Sequence, residues 1–299
     1  MKDFPLPVHM VGPGSQPGED EDLQYLAMPR DMNVFRMPLV PEDADARALA
    51  AARDALGDFT ARLEAWDPAS TTPGPVFDLA ALSPEGIAVA NEMLGEGEVS
   101  IRIGGEVEYR IQESVFTGIW RVCAVGAGGR LESDWLEAGA LPRVVAAAAR
   151  DAATDMLPPV TIPAGAMNSP ALLREIAGRM GDVRPGAPAH VINLTLFPLT
   201  PDDQQVLEQA LPGGQVAMIS RGFGNCHITS TTLRDVWRVQ YFNSMKTLIL
   251  NTIEIVDVPA VALAAPEDLA DSLERLRDLV GWIGECCAQP RNSRVDATP

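Results

Sequence analysis

The chain of 299 residues is short of the residues that most often do chemistry or cross-link a fold, with three histidines and four cysteines. Cys123, Cys226, Cys286 and Cys287 form no CxxC pair, and adjacent cysteines such as the last two seldom bridge each other. Reduced thiols in a cytoplasmic protein are therefore expected. Positive charge is also scarce, with 23 Lys and Arg against 41 Asp and Glu and a formal net charge of −18. That balance excludes the clustered cations that nucleic acid or an anionic membrane surface requires. No apolar run reaches the roughly 18 residues of a membrane span. Asp3, Pro5 and Pro7 stand where a signal peptide places its apolar stretch.

The motifs of common enzymes are missing as well. No GxGxxG follows a strand, and GK[ST], GxSxG and HExxH do not occur. His9 lies in an irregular segment, His190 precedes an expected strand, and His227 stands beside Cys226 on another. Neighbours on a strand point to opposite faces, so Cys226 and His227 cannot ligate one metal there. Arg221-Gly222-Phe223-Gly224 matches the opening of an RNA-recognition strand, but Ile228 stands where the second aromatic is needed. These readings predict no catalytic set, no metal site and no cofactor.

What the chain does contain is regular. Residues 1–41 form an arm rich in Pro and Gly, with an acidic run at 19–22 and apolar anchors from Leu23 to Met37. Such an arm either wraps its own protein or docks a partner. Leu49, Ala52, Leu56, Phe59, Leu63 and Trp66 then recur at helical spacing. A short strand is expected at 76–79. Ser83-Pro84-Glu85 supplies an N-cap, a first-turn proline and a first-turn acid. Val99, Ile101 and Ile103 alternate with polar residues, as do Val107, Tyr109 and Ile111, and Gly104-Gly105 between them predicts a hairpin with a primed turn. Strands through Trp120 and from 131 to 137 follow, then an alanine-rich helix opened by Pro142.

The same pattern recurs 117 positions later. Trp120-Arg121-Val122 returns as Trp237-Arg238-Val239, and Leu82-Ser83-Pro84-Glu85 as Leu199-Thr200-Pro201-Asp202. Leu131, Glu137 and Pro142 meet Leu248, Glu254 and Pro259 without a gap. The expected fold is α+β, with two tandem copies of a helix–strand–helix–four-stranded antiparallel sheet–helix unit. The copies should pack about a pseudo-twofold axis and carry an extended N-terminal arm. The divisions are an arm at 1–41, a first repeat at 42–156, a linker at 157–167, a second repeat at 168–289 and a polar tail at 290–299.

The copies differ at their loops, where a shared scaffold places specificity. Only the second carries the 221–226 hairpin and the segment Gln240-Tyr241-Phe242-Asn243. Arg221, Phe223, Asn225, Cys226, Tyr241 and Asn243 are therefore the candidate partner-binding residues.

Several stretches also resemble one family. Arg221-Gly222-Phe223-Gly224-Asn225-Cys226, Thr229-Ser230-Thr231, the segment 237–244 and the segment 248–254 look like the C-terminal region of the HupH/HyaF hydrogenase-expression proteins. Gly95-Glu96-Gly97-Glu98-Val99, the segment 111–116 and the Gly12-Pro13-Gly14-Ser15-Gln16 arm are similar to the same family. The resemblance implies a non-catalytic chaperone or scaffold in the maturation of an uptake [NiFe] hydrogenase. It implies the small-subunit precursor as partner, before assembly and export, and a thioredoxin-like accessory protein as companion. Handling of iron–sulfur or metal through Cys226 is the alternative, and a catalytic maturation step a further one.

Overall fold

The structure, a computed structural model, describes residues 45–288 except 69, 71 and 223, with side chains as far as 284. The arm at 1–41, the tail at 290–299, Phe223 and the thiols of Cys286 and Cys287 lie outside the described residues.

The first helix, α1 (Ala46–Glu64), begins where Asp45 accepts hydrogen bonds from the backbone N–H groups of Arg47 and Ala48. Its buried stripe is the expected one, with Leu49, Ala52, Leu56, Phe59 and Leu63 all facing inward. Strand β1 (Val76–Asp78) leads to α2 (Pro84–Leu94), which Ser83 caps through Gly86 N. Strands β2 (Val99–Ile103), β3 (Glu108–Glu113), β4 (Ile119–Val125) and β5 (Leu131–Ala138) follow, then α3 (Arg143–Asp151). The chain continues with α4 (Ser169–Met180), β6 (His190–Asn193) and α5 (Pro201–Ala210), where Thr200 and Asp203 form a capping box. It ends with β7 (Gly213–Ser220), β8 (Asn225–Thr231), β9 (Val236–Phe242), β10 (Leu248–Ile255) and α6 (Pro266–Ala288).

All ten strands belong to one antiparallel sheet, in the order β1-β5-β4-β3-β2-β7-β8-β9-β10-β6. Three expectations change here. First, each half contributes five strands rather than four, because the short β1 and β6 add themselves to the outer edges of β5 and β10. Second, the halves do not pack as separate sheets. The free edge of β2 pairs directly with β7, with Val99 opposite Ser220, Ile101 opposite Met218 and Ile103 opposite Val216. An apolar edge left unpaired would be a site of aggregation, and this pairing removes it. Third, the glycine pair does not make a two-residue primed turn. Ile103 pairs with Tyr109, Gly105 has φ +148°, and Gly104 N–H donates across the seam to Gln215 O at 2.9 Å.

One face of the sheet is a continuous core. It runs through Ile101, Ile111, Trp120, Val122, Met218, Ile228, Trp237 and Val239, and Val145 of α3 packs on it. On the other face, α1, α2 and α6 cover Ile119 and Leu136, while α4 and α5 cover Ile192 and Ile253. The helix expected to close the second half is only a 3-10 turn at Ala260–Ala262, because Pro266 stops it and opens α6. Leu276 and Ile283 of α6 then join the cluster of Leu56 and Phe59. Between the two helical layers, the middle of the sheet presents Arg102, Arg110, Ala217, Ile219 and His227, all exposed.

Candidate docking surface on the second half

The β8–β9 register decides what each candidate residue can do. Asn225 lies opposite Phe242, and Cys226 opposite Tyr241. Alternation turns Cys226 into the core, where it is fully buried, and leaves His227 on the open face against Phe242, with ring centroids 4.8 Å apart. Burial pushes the Cys226 thiol up to about 11, although a hydrogen bond with Tyr241 opposes the rise. Tyr241, half-buried, is pushed up to about 12 by the same burial and by the nearby thiol. Cys226 is therefore a neutral S–H at physiological pH and does not reach the surface, whereas nucleophiles and metal ligands require thiolate. Cys123, on β4, behaves alike, with its thiol raised to about 11 chiefly by burial.

Arg221 is exposed at the tip of the β7–β8 hairpin, and its backbone N–H donates to Glu98 O at 3.1 Å. That bond ties the tip to the first half. Asn243 shapes its own turn. Its Oδ1 accepts from Met245 N at 3.0 Å and Thr247 N at 2.9 Å, and Lys246 takes φ +60°. The side chain that the composition nominated as a contact is what shapes the loop.

The loop it shapes carries residues that the sequence reading missed. Met245 is 84% exposed, Ile249 56% and Leu248 43%. Leu196 and Phe197, after β6, are also exposed, and Thr195 Oγ1 beside them accepts from Asn251 N of β10 at 2.8 Å. At the equivalent places in the first half stand Gly128, Glu132, Leu131, the fully buried Leu79 and Ala80. Of the five, Met245, Ile249 and Phe197 are apolar only in the second half, whereas Leu248 and Leu196 have leucine counterparts, Leu131 exposed and Leu79 buried.

A concavity of about 560 Å³ is lined by Trp66, Pro73, Leu263 and Leu269, and its charged lining, Arg143 and Glu137, is an ion pair at 2.9 Å. Among the described residues no three His, Cys, Asp or Glu are grouped to hold a metal ion, and no helix is long and apolar enough to cross a membrane.

A single antiparallel sheet with α1, α2, α4, α5 and α6 on one face and α3 on the other defines an α+β protein. Comparison with known proteins gives its family. The family model described as "HupH hydrogenase expression protein, C-terminal conserved region" matches residues 49–157 and again 166–283. The hydrogenase expression/formation protein HoxQ of Cupriavidus necator is 45% identical over 95% of this chain and 99% of its own. HupH of Rhodobacter capsulatus is 40% identical over the same shares, and the hydrogenase-1 operon protein HyaF of Escherichia coli 33% over 93% and 96%. A solved structure of the hydrogenase expression protein HupH from Thiobacillus denitrificans covers 38% of this chain and 95% of its own at 28% identity, with a TM-score of 0.36. The chain belongs to the HupH hydrogenase expression protein family.

Proposed function

We propose that this protein is a non-catalytic chaperone or scaffold in the maturation of an uptake [NiFe] hydrogenase. It acts in the cytoplasm on the small-subunit precursor, before assembly and export, with a thioredoxin-like accessory protein as companion. Support comes from the relatives, which are named for hydrogenase expression and formation. The single observation that carries a docking role is the exposed apolar end formed by Met245, Leu248, Ile249, Leu196 and Phe197. Isolated apolar residues on a surface mean little, but five exposed on the β9–β10 loop and on the segment after β6, joined by the Asn251 N to Thr195 Oγ1 bond, suit an interaction site. The acidic surface favours a precursor whose export signal is basic, within the roughly 10 Å over which 0.1 M salt leaves charges visible.

We also infer that the chain is a tandem duplication packed about a local twofold axis. Ile101 and Met218, which pair at the central seam, are 117 positions apart. In the reciprocal bonds Gly104 N to Gln215 O and Arg221 N to Glu98 O, the two donors are 117 positions apart and so are the two acceptors. An isologous contact repeats each bond in this way. The first half serves as scaffold and the second as the docking half.

Co-purification with the small-subunit precursor, with and without its signal, tests the proposal. Association is expected with the precursor, and no association in either form sinks it.

A further inference from the structure

The two halves place an arginine at the same position of the same strand. Arg121 of β4 lies opposite Leu136, and Arg238 of β9 opposite Ile253. In the first half the cation is matched within the chain. Arg121 donates to Asp134 from Nε at 2.9 Å and from Nη2 at 2.6 Å, and Asp134 is 3% exposed. Cys123 Sγ donates to the same carboxylate at 3.4 Å.

In the second half the acid is gone. Asn251 stands where Asp134 would be, and Gln240 where Cys123 would be. Arg238 is half-buried and, among the described residues, its guanidinium has no hydrogen bond and no ion pair. Burial holds its basicity below the ordinary value, and only a longer-range attraction to the exposed Glu208 of α5 opposes this. Asn251 Oδ1 is shut off from solvent with no donor. A guanidinium with five donors and no acceptor in a half-buried place is costly. A cation kept where its internal acid has been lost is what remains when the matching anion arrives from outside.

We propose that Arg238 is a carboxylate-binding site, filled by an aspartate or glutamate side chain of the protein that docks on the second half. The proposal rests on the docking reading above and names the chemistry of the partner. Asp134 is the template. A carboxylate at this register meets the guanidinium with two parallel bonds, a fit that planar groups share. Thr229, directly opposite Arg238, and Gln240, next on the same face, add polar groups around the incoming acid.

Two variants and two probes test it. Asn251→Asp supplies the acid internally and should leave the fold at least as stable as before, while Arg238→Gln removes the donors. The first probe is N-acetylglutamate amide, titrated at millimolar concentration into the full chain and followed at the Arg238 Nε–Hε resonance. A saturable shift is expected, absent in Asn251→Asp, whose resonance starts displaced. A shift that never saturates, or none, overturns the site whether or not any partner docks.

The second probe is the small-subunit precursor. Each variant should weaken its binding about tenfold, with no further loss in the double variant. Unchanged affinity in both variants overturns the partner's carboxylate while the docking reading stands. If the unaltered protein does not bind, the docking reading fails and the titration alone decides the site. Neutralising Glu19, Asp20, Glu21 and Asp22 in the full chain should leave the Arg238 resonance in place. A displacement there makes the chain's own arm the occupant and overturns the assignment to a partner.

Discussion

On β4 the arginine after the buried Trp120 finds its acid one strand away, and on β9 the arginine after the buried Trp237 does not. The indoles themselves are treated alike. Trp120 Nε1 donates to Gly139 O at 2.9 Å, and Trp237 Nε1 to Val256 O at 3.1 Å, two acceptors that are themselves 117 positions apart. What packing demands is therefore repeated, and what faces outward is free to change. In the first half the outward groups satisfy one another. In the second they are left open, beside a loop end that exposes Met245, Leu248 and Ile249.

The largest effects should come from the shared frame. Trp120→Ala and Trp237→Ala should each cost about 3–5 kcal/mol in denaturant unfolding, through lost transfer energy and a cavity. Similar costs are the point, and a surface-like cost at one position would break the equivalence of the halves.

Next comes a group that only the first half has. Burial raises the carboxyl of Glu113 to about 7, although Gly118 N–H donates to it at 3.1 Å. Its counterpart is Ser230. Because the folded value lies above the ordinary 4.5, the folded state holds the proton more tightly. The resulting stability is fully present below pH 4.5 and lost as pH rises through about 7, a swing of about 3 kcal/mol. Glu113→Gln should flatten the stability profile across that window, and an unchanged profile would remove the group from the account.

Asp203 runs the other way. Burial alone would raise its carboxyl, but hydrogen bonds from Ser169, Thr200 and Asn168 outweigh that and hold it well below the usual range. Its contribution is present above pH 3.8 and lost as pH falls through the folded value. Acid unfolding of Asp203→Asn should therefore begin at a higher pH than that of the unaltered chain.

Smaller still is the exchange of the arginine's partner. Asp134→Asn strands Arg121 and should cost about 1–3 kcal/mol. Asn251→Asp should gain less than about 1 kcal/mol, since the new pair is half-exposed. Equal and opposite changes would mean that the two sites are equally enclosed.

Much of this fold was legible because its signals are local. Ser83 and Thr200, each followed by proline, mark the starts of α2 and α5 where the structure caps them. Alternation through Trp120 and Trp237 marks β4 and β9 with the correct inward faces. The union of the halves was not legible, since the β2–β7 seam joins residues more than a hundred positions apart and alternation does not say which edge pairs with which. The turn role of Asn243 was not legible either, because an asparagine whose Oδ1 bonds its own turn looks, as a letter, like any other. Arg238 was overlooked for a related reason. Trp-Arg-Val reads the same in both copies, and the difference lies thirteen residues on, at Asn251, where only the strand register makes it a neighbour.

The claim that the second half docks the partner is tested most directly by calorimetric affinities for the small-subunit precursor after equivalent changes in each half. Leu248→Ser with Ile249→Ser should weaken binding by about tenfold or more, while Leu131→Ser, at the matching place in the first half, leaves it unchanged. Equal losses in both halves, or none in the second, would contradict the division between scaffold and docking surface.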